Sequence, residues 1–295
     1  MHRGWTQVAF RRDLRDGLNV VRVGKRPILL VRTETGVEAY PGICPHRGAS
    51  LGHGGRLVDG GVVCPFHGLR IGLGCKGPTD AGFVPALPVL DWQGLVLVGP
   101  ARDHHDAGLS AFVASAEAWT MVPGFSLVIE APPRWVIENA FDALHFVPVH
   151  GVLSPPPMRG GQRDGGAYVV ESRFALPPSP WQTGRDKIEA PYSARAFSPT
   201  LVVAQLDGVR PYRVVTSALD QGGHSKVFLS IGLPSGHRTV QSDIDYLLGQ
   251  MRAGLEQDRP IWENLDSDHV ASFQPGDEAV VGFRAFCGAF EEAAA

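Results

Sequence analysis

Two short motifs place thiols beside imidazoles: Cys44-Pro45-His46 and, after 17 intervening residues, Cys64-Pro65-Phe66-His67. Thiolates and imidazoles are the side chains that hold soft and borderline metals, and a pair one to three positions apart can reach one metal site from a single tight loop. Two fillings suit such a set. One is zinc; the other is a [2Fe–2S] cluster in which two imidazoles replace two thiolates on one of the irons. Zinc modules usually pair Cys with Cys and His with His, so the alternating Cys-His order favours the cluster. Pro and Gly in both motifs shape loops whose backbone N–H groups can bond the cluster sulfurs.

A second group of residues lies between Glu138 and His150, reading E-N-A-F-D-A-L-H-F-V-P-V-H. Asp142 and His145 are three apart and share a helix face if 136–146 is helical, as its pattern predicts. His145 and His150 are five apart, about 140° around an ideal helix, and would not converge if that helix continued. Pro148 is expected to break or kink it and so swing both imidazoles towards one metal. Two histidines and one carboxylate leave open positions on Fe(II) for O2. The carboxylate has to come from later in the chain. Residues 242–262 predict an amphipathic helix with an apolar stripe of Ile244, Leu248, Met251, Leu255 and Trp262, and Asp258 falls on that stripe. A carboxylate on a buried face is costly unless it is paired or bound to metal. The alternative is that Asp258 restarts a helix near Pro260. Asp245, Glu256 and Glu263 fall off the stripe and should be solvated.

These segments resemble a known family. Cys44-Pro-His46-Arg47-Gly48-Ala49 and Cys64-Pro-Phe66-His67-Gly68 are similar to the ligand loops of Rieske proteins, and N-x2-D-x2-H-x4-H from Asn139 to His150 resembles the iron motif of Rieske non-heme iron oxygenases. The segment Gln257-Asp258-Arg-Pro-Ile261-Trp262-Glu-Asn264 looks like the late-helix ligand segment of the branch that contains 3-ketosteroid 9α-hydroxylase and cholesterol 7-desaturase. The resemblance covers nearly the whole chain. It implies Cys44, His46, Cys64 and His67 as ligands of a Rieske [2Fe–2S] cluster, and His145, His150 and Asp258 as ligands of a mononuclear Fe(II). It implies Asp142 as the carboxylate that bridges one subunit's iron to the neighbour's cluster, with Asn139 near that iron. A head-to-tail homotrimer is implied with it.

The elements that must carry these residues form an α+β chain. Short apolar runs at 18–23, 27–31, 61–63 and 95–98, separated by Gly and Pro, predict an all-β domain over 1–100. A polar stretch beginning at 101 reads as a linker over 101–118; its His104 and His105 are solvated linker residues. From 119 to 295, strands predicted at 168–176, 192–197, 201–206, 212–218 and 226–233 with two helices suggest an antiparallel sheet carrying helices. The resemblance implies the helix-grip form of that architecture. His53 reads as a loop histidine, and Cys75 and Cys287 as thiols outside the ligand spacing.

Among 295 residues, 44% are hydrophobic and 19% charged, which excludes a disordered chain. A net charge of -3 offers no basic field for nucleic acid or anionic lipid. No apolar run reaches the ~20 residues of a membrane span and no apolar segment follows Arg3, so a soluble cytoplasmic protein is expected. No G-x-G-x-x-G follows a predicted strand, which agrees with NAD(P)H being used by a separate reductase or ferredoxin partner, as the resemblance implies. Arg47 is either a contact for that partner or a solvated loop residue. The expected activity is O2-dependent hydroxylation, desaturation or demethylation of a bulky apolar, steroid-like or polycyclic molecule. Phe141, Phe146, Val147, Val149, Val152, Leu153, Leu201, Val202 and Val203 line its pocket or belong to the core, and Pro155-Pro156-Pro157 forms a stiff loop at the entrance. Two alternatives remain open: O- or N-demethylation of a smaller aromatic, and a Rieske electron-transfer protein without active mononuclear iron.

Overall fold

The computed structural model describes residues 3–74, 78–99, 106–158, 161–176, 188–236 and 240–291; Cys75, His104, His105 and the first part of the expected linker lie outside them. The N-terminal third contains strands β1 (Thr6–Phe10), β2 (Gly17–Val23), β3 (Arg26–Thr33), β4 (Gly36–Pro41), β5 (Arg56–Val58), β6 (Gly61–Val63), β7 (Arg70–Leu73), β8 (Phe83–Val84), β9 (Val89–Trp92) and β10 (Leu95–Val98). They form three small sheets, ordered β1-β10-β9, β2-β3-β4 and β5-β6-β7-β8. Only the β7–β8 pair is parallel among them.

The rest of the chain builds one antiparallel sheet from β11 (Trp119–Ile129), β12 (Gln162–Asp164), β13 (Ala167–Leu176), β14 (Ile188–Ser198), β15 (Leu201–Leu206), β16 (Tyr212–Asp220) and β17 (Ser225–Pro234). Its order is β11-β17-β16-β15-β14-β13-β12, so the first strand pairs with the last, from Trp119 opposite Pro234 to Ile129 opposite Ser225. The sequence reading passes over β11, because Pro123 and Gly124 interrupt its alternation; the structure absorbs them in a register shift between Pro123 and Phe125.

Strand parity gives this sheet two working faces. Leu201, Val203, Val215 and Phe228 point into a core shared with Trp5, Val8, Phe10 and Trp92 of the N-terminal third. Val202, Val214 and Leu229, one position on, point into a second core closed by helices. Those helices are α2 (Pro133–Glu138), α3 (Phe146–His150), α4 (Gln241–Trp262) and α5 (Glu278–Cys287), whereas α1 (Leu109–Ala114) packs into the shared core. Helix α1 departs from the expected linker. Leu109 and Ala116 are buried in the shared core, with Phe112 and Val113 packed against it, so 109–118 joins the two halves as packed structure. Helix α5 goes unread in the sequence although Ala279, Val280, Phe283, Phe286 and Cys287 recur at helical spacing and are all buried.

The long helix forms as expected, one residue longer at its start, and runs through Pro260 without restarting. The expected helix over 136–146 does not form. Helix α2 stops at Glu138, a 3-10 turn covers Asn139–Phe141, and Asp142 is extended (φ -89, ψ 106). Tertiary contacts outweigh local preference at this turn. Phe141 is buried and stacks on Phe283 at 4.9 Å. Tyr192 donates its hydroxyl to the Ala140 carbonyl (2.8 Å), and Arg284 forks onto Glu138 (2.9 and 2.7 Å), tying α5 to α2. The expected kink at Pro148 is also absent. Pro148 is the third residue of α3, where a helix leaves its N–H groups unbonded in any case.

Candidate metal centres

The two Cys-His loops are structural twins. One follows β4 and the other joins β6 to β7. In each, the Cys N–H donates to the residue five on (Cys44 to Ala49, Cys64 to Leu69, both 2.8 Å) and a Gly N–H donates back to the Cys carbonyl (Gly48 to Cys44, Gly68 to Cys64, both 3.0 Å). Gly48 and Gly68 lie at φ +76 and +69 with nothing within 4 Å of an added Cβ, so glycine is required there for its backbone angle and not for space. Cys44 and Cys64 are buried free thiols, whereas His46 and His67 are exposed with ring centroids 4.8 Å apart. Burial pushes the Cys44 thiol up and Cys64 adds to it, while backbone N–H groups of His46 and Arg47 bond its sulfur and oppose the rise. Sulfur inside with N–H donors aimed at it, and imidazole outside, is a donor set that fits a [2Fe–2S] cluster with its histidine-bound iron at the surface.

The second group converges more closely than ideal helix geometry allows. Each of His145, His150 and Asp258 offers a ligand atom within 4.8 Å of the others. His145 precedes α3 and His150 ends it, and their rings lie 5.0 Å apart. Asp258 stands on α4, buried at 6% exposure, with its Oδ1 3.4 Å from His150 Nε2. That imidazole is its one polar partner among the described residues, an arrangement suited to a cation between them.

The surrounding hydrogen bonds set which ring nitrogens face inward. His145 Nδ1 donates to the Asp142 carbonyl (2.8 Å), and His150 Nδ1 donates to Gln257 Oε1 (3.0 Å). Both rings are therefore left with Nε2 as the ligand atom. At His145 the Asn139 amide lies 3.1 Å from Nε2, and Trp262 Nε1–H donates to the Asn139 oxygen at 3.4 Å, which turns the amide N–H towards the imidazole. Asp142 contributes chiefly backbone. Its carboxylate accepts the N–H groups of Leu144 (2.9 Å) and His145 (3.3 Å), and stands 3.6 Å from His145 Nδ1. Burial disfavours the Asp142 charge, yet the His145 imidazole and these N–H groups hold its carboxyl below the ordinary range.

The Rieske [2Fe-2S] domain family profile matches residues 4–87. The ferredoxin component of the alkene monooxygenase system of Xanthobacter autotrophicus is 37% identical over 90 residues, 30% of this chain and 74% of the relative. The oxygenase component of 3-ketosteroid-9-alpha-monooxygenase from Rhodococcus rhodochrous is 23% identical over 297 residues, covering 89% of this chain and 73% of the relative. The chain belongs to the Rieske non-heme iron oxygenases. The fold agrees along its whole length: the crystal structure of dicamba monooxygenase with non-heme iron and dicamba superposes with a TM-score of 0.72 at 19% identity, over 96% of this chain and 95% of that one. This oxygenase component accordingly uses a Rieske [2Fe–2S] cluster and a mononuclear iron.

Beside the second centre the oxygenase has a cavity of about 520 Å³ between the helical face of the sheet and α4. Its wall includes His145, His150, Asp258 and Asn139 with Phe146, Phe174, Tyr192, Val202, Leu206, Tyr212, Val214, Leu247 and Met251. Of the residues expected to line a pocket, Phe146, Val152 and Val202 do so. Leu201 and Val203 point to the opposite face of the sheet, Phe141 is core, Leu153 is exposed, and Val147 and Val149 lie off the cavity. Pro155, Pro156 and Pro157 do not line it either. Arg47, His53 and Phe66 are exposed; the Phe66 ring packs on His67 at 3.9 Å and the Arg47 guanidinium lies 5.8 Å from Phe66. Gln257, Trp262 and Gln205 are among the site residues that the sequence does not assign, with Phe174, Tyr192 and Tyr212 of the cavity wall. Gln257 carries one signal, its place immediately before the buried Asp258.

No helix among the described residues is long and apolar enough to cross a membrane.

Proposed function

We propose that this oxygenase component binds a bulky apolar, polycyclic-sized molecule in the cavity between the sheet and α4 and oxidises it at an iron held by His145, His150 and Asp258. The observation that carries this reading is the shared wall: the two imidazoles and the buried carboxylate line the same apolar cavity of about 520 Å³. A volume of that size lies in the ordinary range of small-molecule sites. When bound, Fe(II) supplies O2 activation at the positions that three protein ligands leave open.

The remaining work belongs to the chain's own residues. The Asp142 carbonyl and Gln257 hold His145 and His150 as Nδ1–H tautomers. Asn139 keeps an N–H donor beside His145, its orientation set by Trp262. Phe146, Phe174, Leu206 and Val214 exclude water and position the substrate by shape. Cys44, Cys64, His46 and His67 hold the cluster, and electrons enter over the exposed histidine edge from an NAD(P)H-dependent reductase or its ferredoxin.

A homotrimer is part of the same reading. Exposed apolar side chains occur in both parts of the chain: Ile43, Leu57 and Phe66 in the cluster domain, and Leu144, Leu153 and Leu265 after Asp142. Exposed apolar residues in both parts of one chain suit a head-to-tail ring, in which one subunit's cluster meets its neighbour's Asp142.

The test is turnover with reductase, NADH and O2 on a steroid ketone and on a methoxyarene, with parallel counts of iron and acid-labile sulfide. Hydroxylated or dehydrogenated steroid with about three irons and two sulfides per chain is the expected result. Formaldehyde from the methoxyarene with no steroid product would move the assignment to demethylation of a smaller aromatic. About two irons, with none gained on adding Fe(II), would remove the mononuclear centre.

A further inference from the structure

The polar groups on the cavity wall can be accounted for one by one. Tyr192 spends its hydroxyl on the Ala140 carbonyl (2.8 Å). The Gln205 oxygen accepts from Arg213 Nε (2.8 Å), and its amide donates to the Asp207 carboxylate (2.9 and 3.1 Å). The Gln257 oxygen accepts from His150 Nδ1, and Tyr246 is engaged as well. Arg210, the one Lys or Arg on this wall among the described residues, is paired with the Asp243 carboxylate. What remains is the amide of Gln250 and the amide N–H2 of Gln257, both at exposed positions of α4, and the hydroxyls of Tyr212 and Thr216. Both hydroxyls stand on the cavity face of β16, half-buried, and no protein group lies in hydrogen-bond range of either among the described residues.

The two hydroxyls are four residues apart on one strand, about 13 Å, too far to serve one ligand atom unless the side chains lean together. They also differ as donors. A threonine hydroxyl stays against its own backbone, whereas a phenol extends further from its strand and is the stronger donor. Burial, with Tyr246 nearby, pushes the Tyr212 hydroxyl up to about 12, so it keeps its proton at working pH and is available as a donor to a carbonyl or ether oxygen. The charge balance points the same way. The Arg210 cation is answered by Asp243, so a carboxylate held by the wall side chains would find no free side-chain cation among the described residues; the positive charge left is that of an iron bound by two neutral imidazoles and Asp258, which would draw a carboxylate to the metal and away from Tyr212.

We propose that the substrate is neutral and carries a hydrogen-bond acceptor on its apolar body, a carbonyl or ether oxygen, which the Tyr212 hydroxyl receives and so sets the orientation of the molecule over the metal ligands. This specificity role rests on the cavity being the substrate site. It narrows the substrate class from an apolar polycycle to one with a polar oxygen and without a charge.

The experiment uses three ligands with one bicyclic body, 2-acetylnaphthalene, 2-ethylnaphthalene and 2-naphthoate, measured by equilibrium dialysis against the iron-loaded protein. The ketone is expected to bind roughly threefold to tenfold more tightly than the hydrocarbon, the factor that one net hydrogen bond contributes. The carboxylate is expected to bind without help from Tyr212. Tyr212→Phe should erase the ketone's advantage while leaving 2-ethylnaphthalene unchanged, which also shows that the variant is folded. Thr216→Val should leave the advantage intact. An advantage that survives Tyr212→Phe, or is absent in the native protein, overturns the proposal while leaving the cavity as the substrate site. Binding of 2-naphthoate that weakens in Tyr212→Phe overturns the neutral-substrate part. Failure of all three to bind overturns the cavity reading itself, and this inference with it.

Discussion

His145 and His150 are held by different kinds of partner, and that difference can be measured. The Nδ1–H of His145 bonds a backbone carbonyl, that of Asp142, which no side-chain substitution removes. The Nδ1–H of His150 bonds the side chain of Gln257 at 3.0 Å. Gln257→Leu deletes the acceptor and frees the His150 ring to rotate or to change tautomer, so that Nε2 no longer faces Asp258. Loss of such an outer partner costs about 10- to 100-fold in metal affinity, or roughly 1.4–2.7 kcal/mol. Gln257 is exposed, so water can replace part of the bond, and the effect should fall near the lower end, about tenfold. Gln257→Glu keeps an acceptor oxygen in place and should restore native affinity or exceed it.

The assay is anaerobic titration of iron-depleted mononuclear sites with Fe(II) against a competing chelator, with the Rieske EPR signal as an internal reference for an intact fold and cluster. Native affinity in Gln257→Leu, under conditions where His150→Ala loses the metal, would show that the side chain does not position the imidazole. Equal loss in Gln257→Leu and Gln257→Glu would assign the effect to packing.

Three further outcomes follow from the geometry. His145→Ala and Asp258→Ala should each lower iron from about three to about two per chain with sulfide unchanged at about two, keep the Rieske spectrum and abolish product; turnover in either variant would displace that residue from the ligand set. Asp142→Asn keeps an oxygen for the Leu144 and His145 N–H groups and so should retain both metals, yet slow electron transfer to the mononuclear site strongly in rapid-mixing absorbance; an unchanged rate would remove Asp142 from the path. Cys287 is buried and its thiol is pushed up to about 12, chiefly by burial, so at pH 8 it stays protonated and should resist iodoacetamide in the native protein while reacting in urea; rapid native labelling at Cys287, read by peptide mass mapping, would contradict the packing of α5.

Much of the site is local, and local features are legible in a chain of residues. The C-x-H and C-x2-H loops close on themselves through bonds spanning four or five residues, so their spacing already contains their geometry. Asp258 is legible for a related reason: on a 3.6-residue period a carboxylate on the apolar stripe has nowhere to go but inward, and it is buried there. Strands β15 and β6 coincide with their expected limits, because a short apolar run bounded by turn residues is also a local signal.

What the tertiary structure alone decided depends on residues far apart in sequence. The turn at Asn139–Phe141 replaces a predicted helix because Phe141, Ala140 and Glu138 are claimed by Phe283, Tyr192 and Arg284. The orientation of both cavity histidines rests on pairs no periodicity can show, such as His150 with Gln257 across 107 residues and Asn139 with Trp262 across 123. The cavity itself comes from pairing β11 with β17 and from which parity of β15 and β16 faces α4. A one-residue shift in register would have turned Tyr212 and Val202 away from the cavity and Val203 into it. Sequence patterns state that a strand has two faces; only the packed fold states which face meets the substrate, because that choice is made by burial against elements a hundred or more residues away.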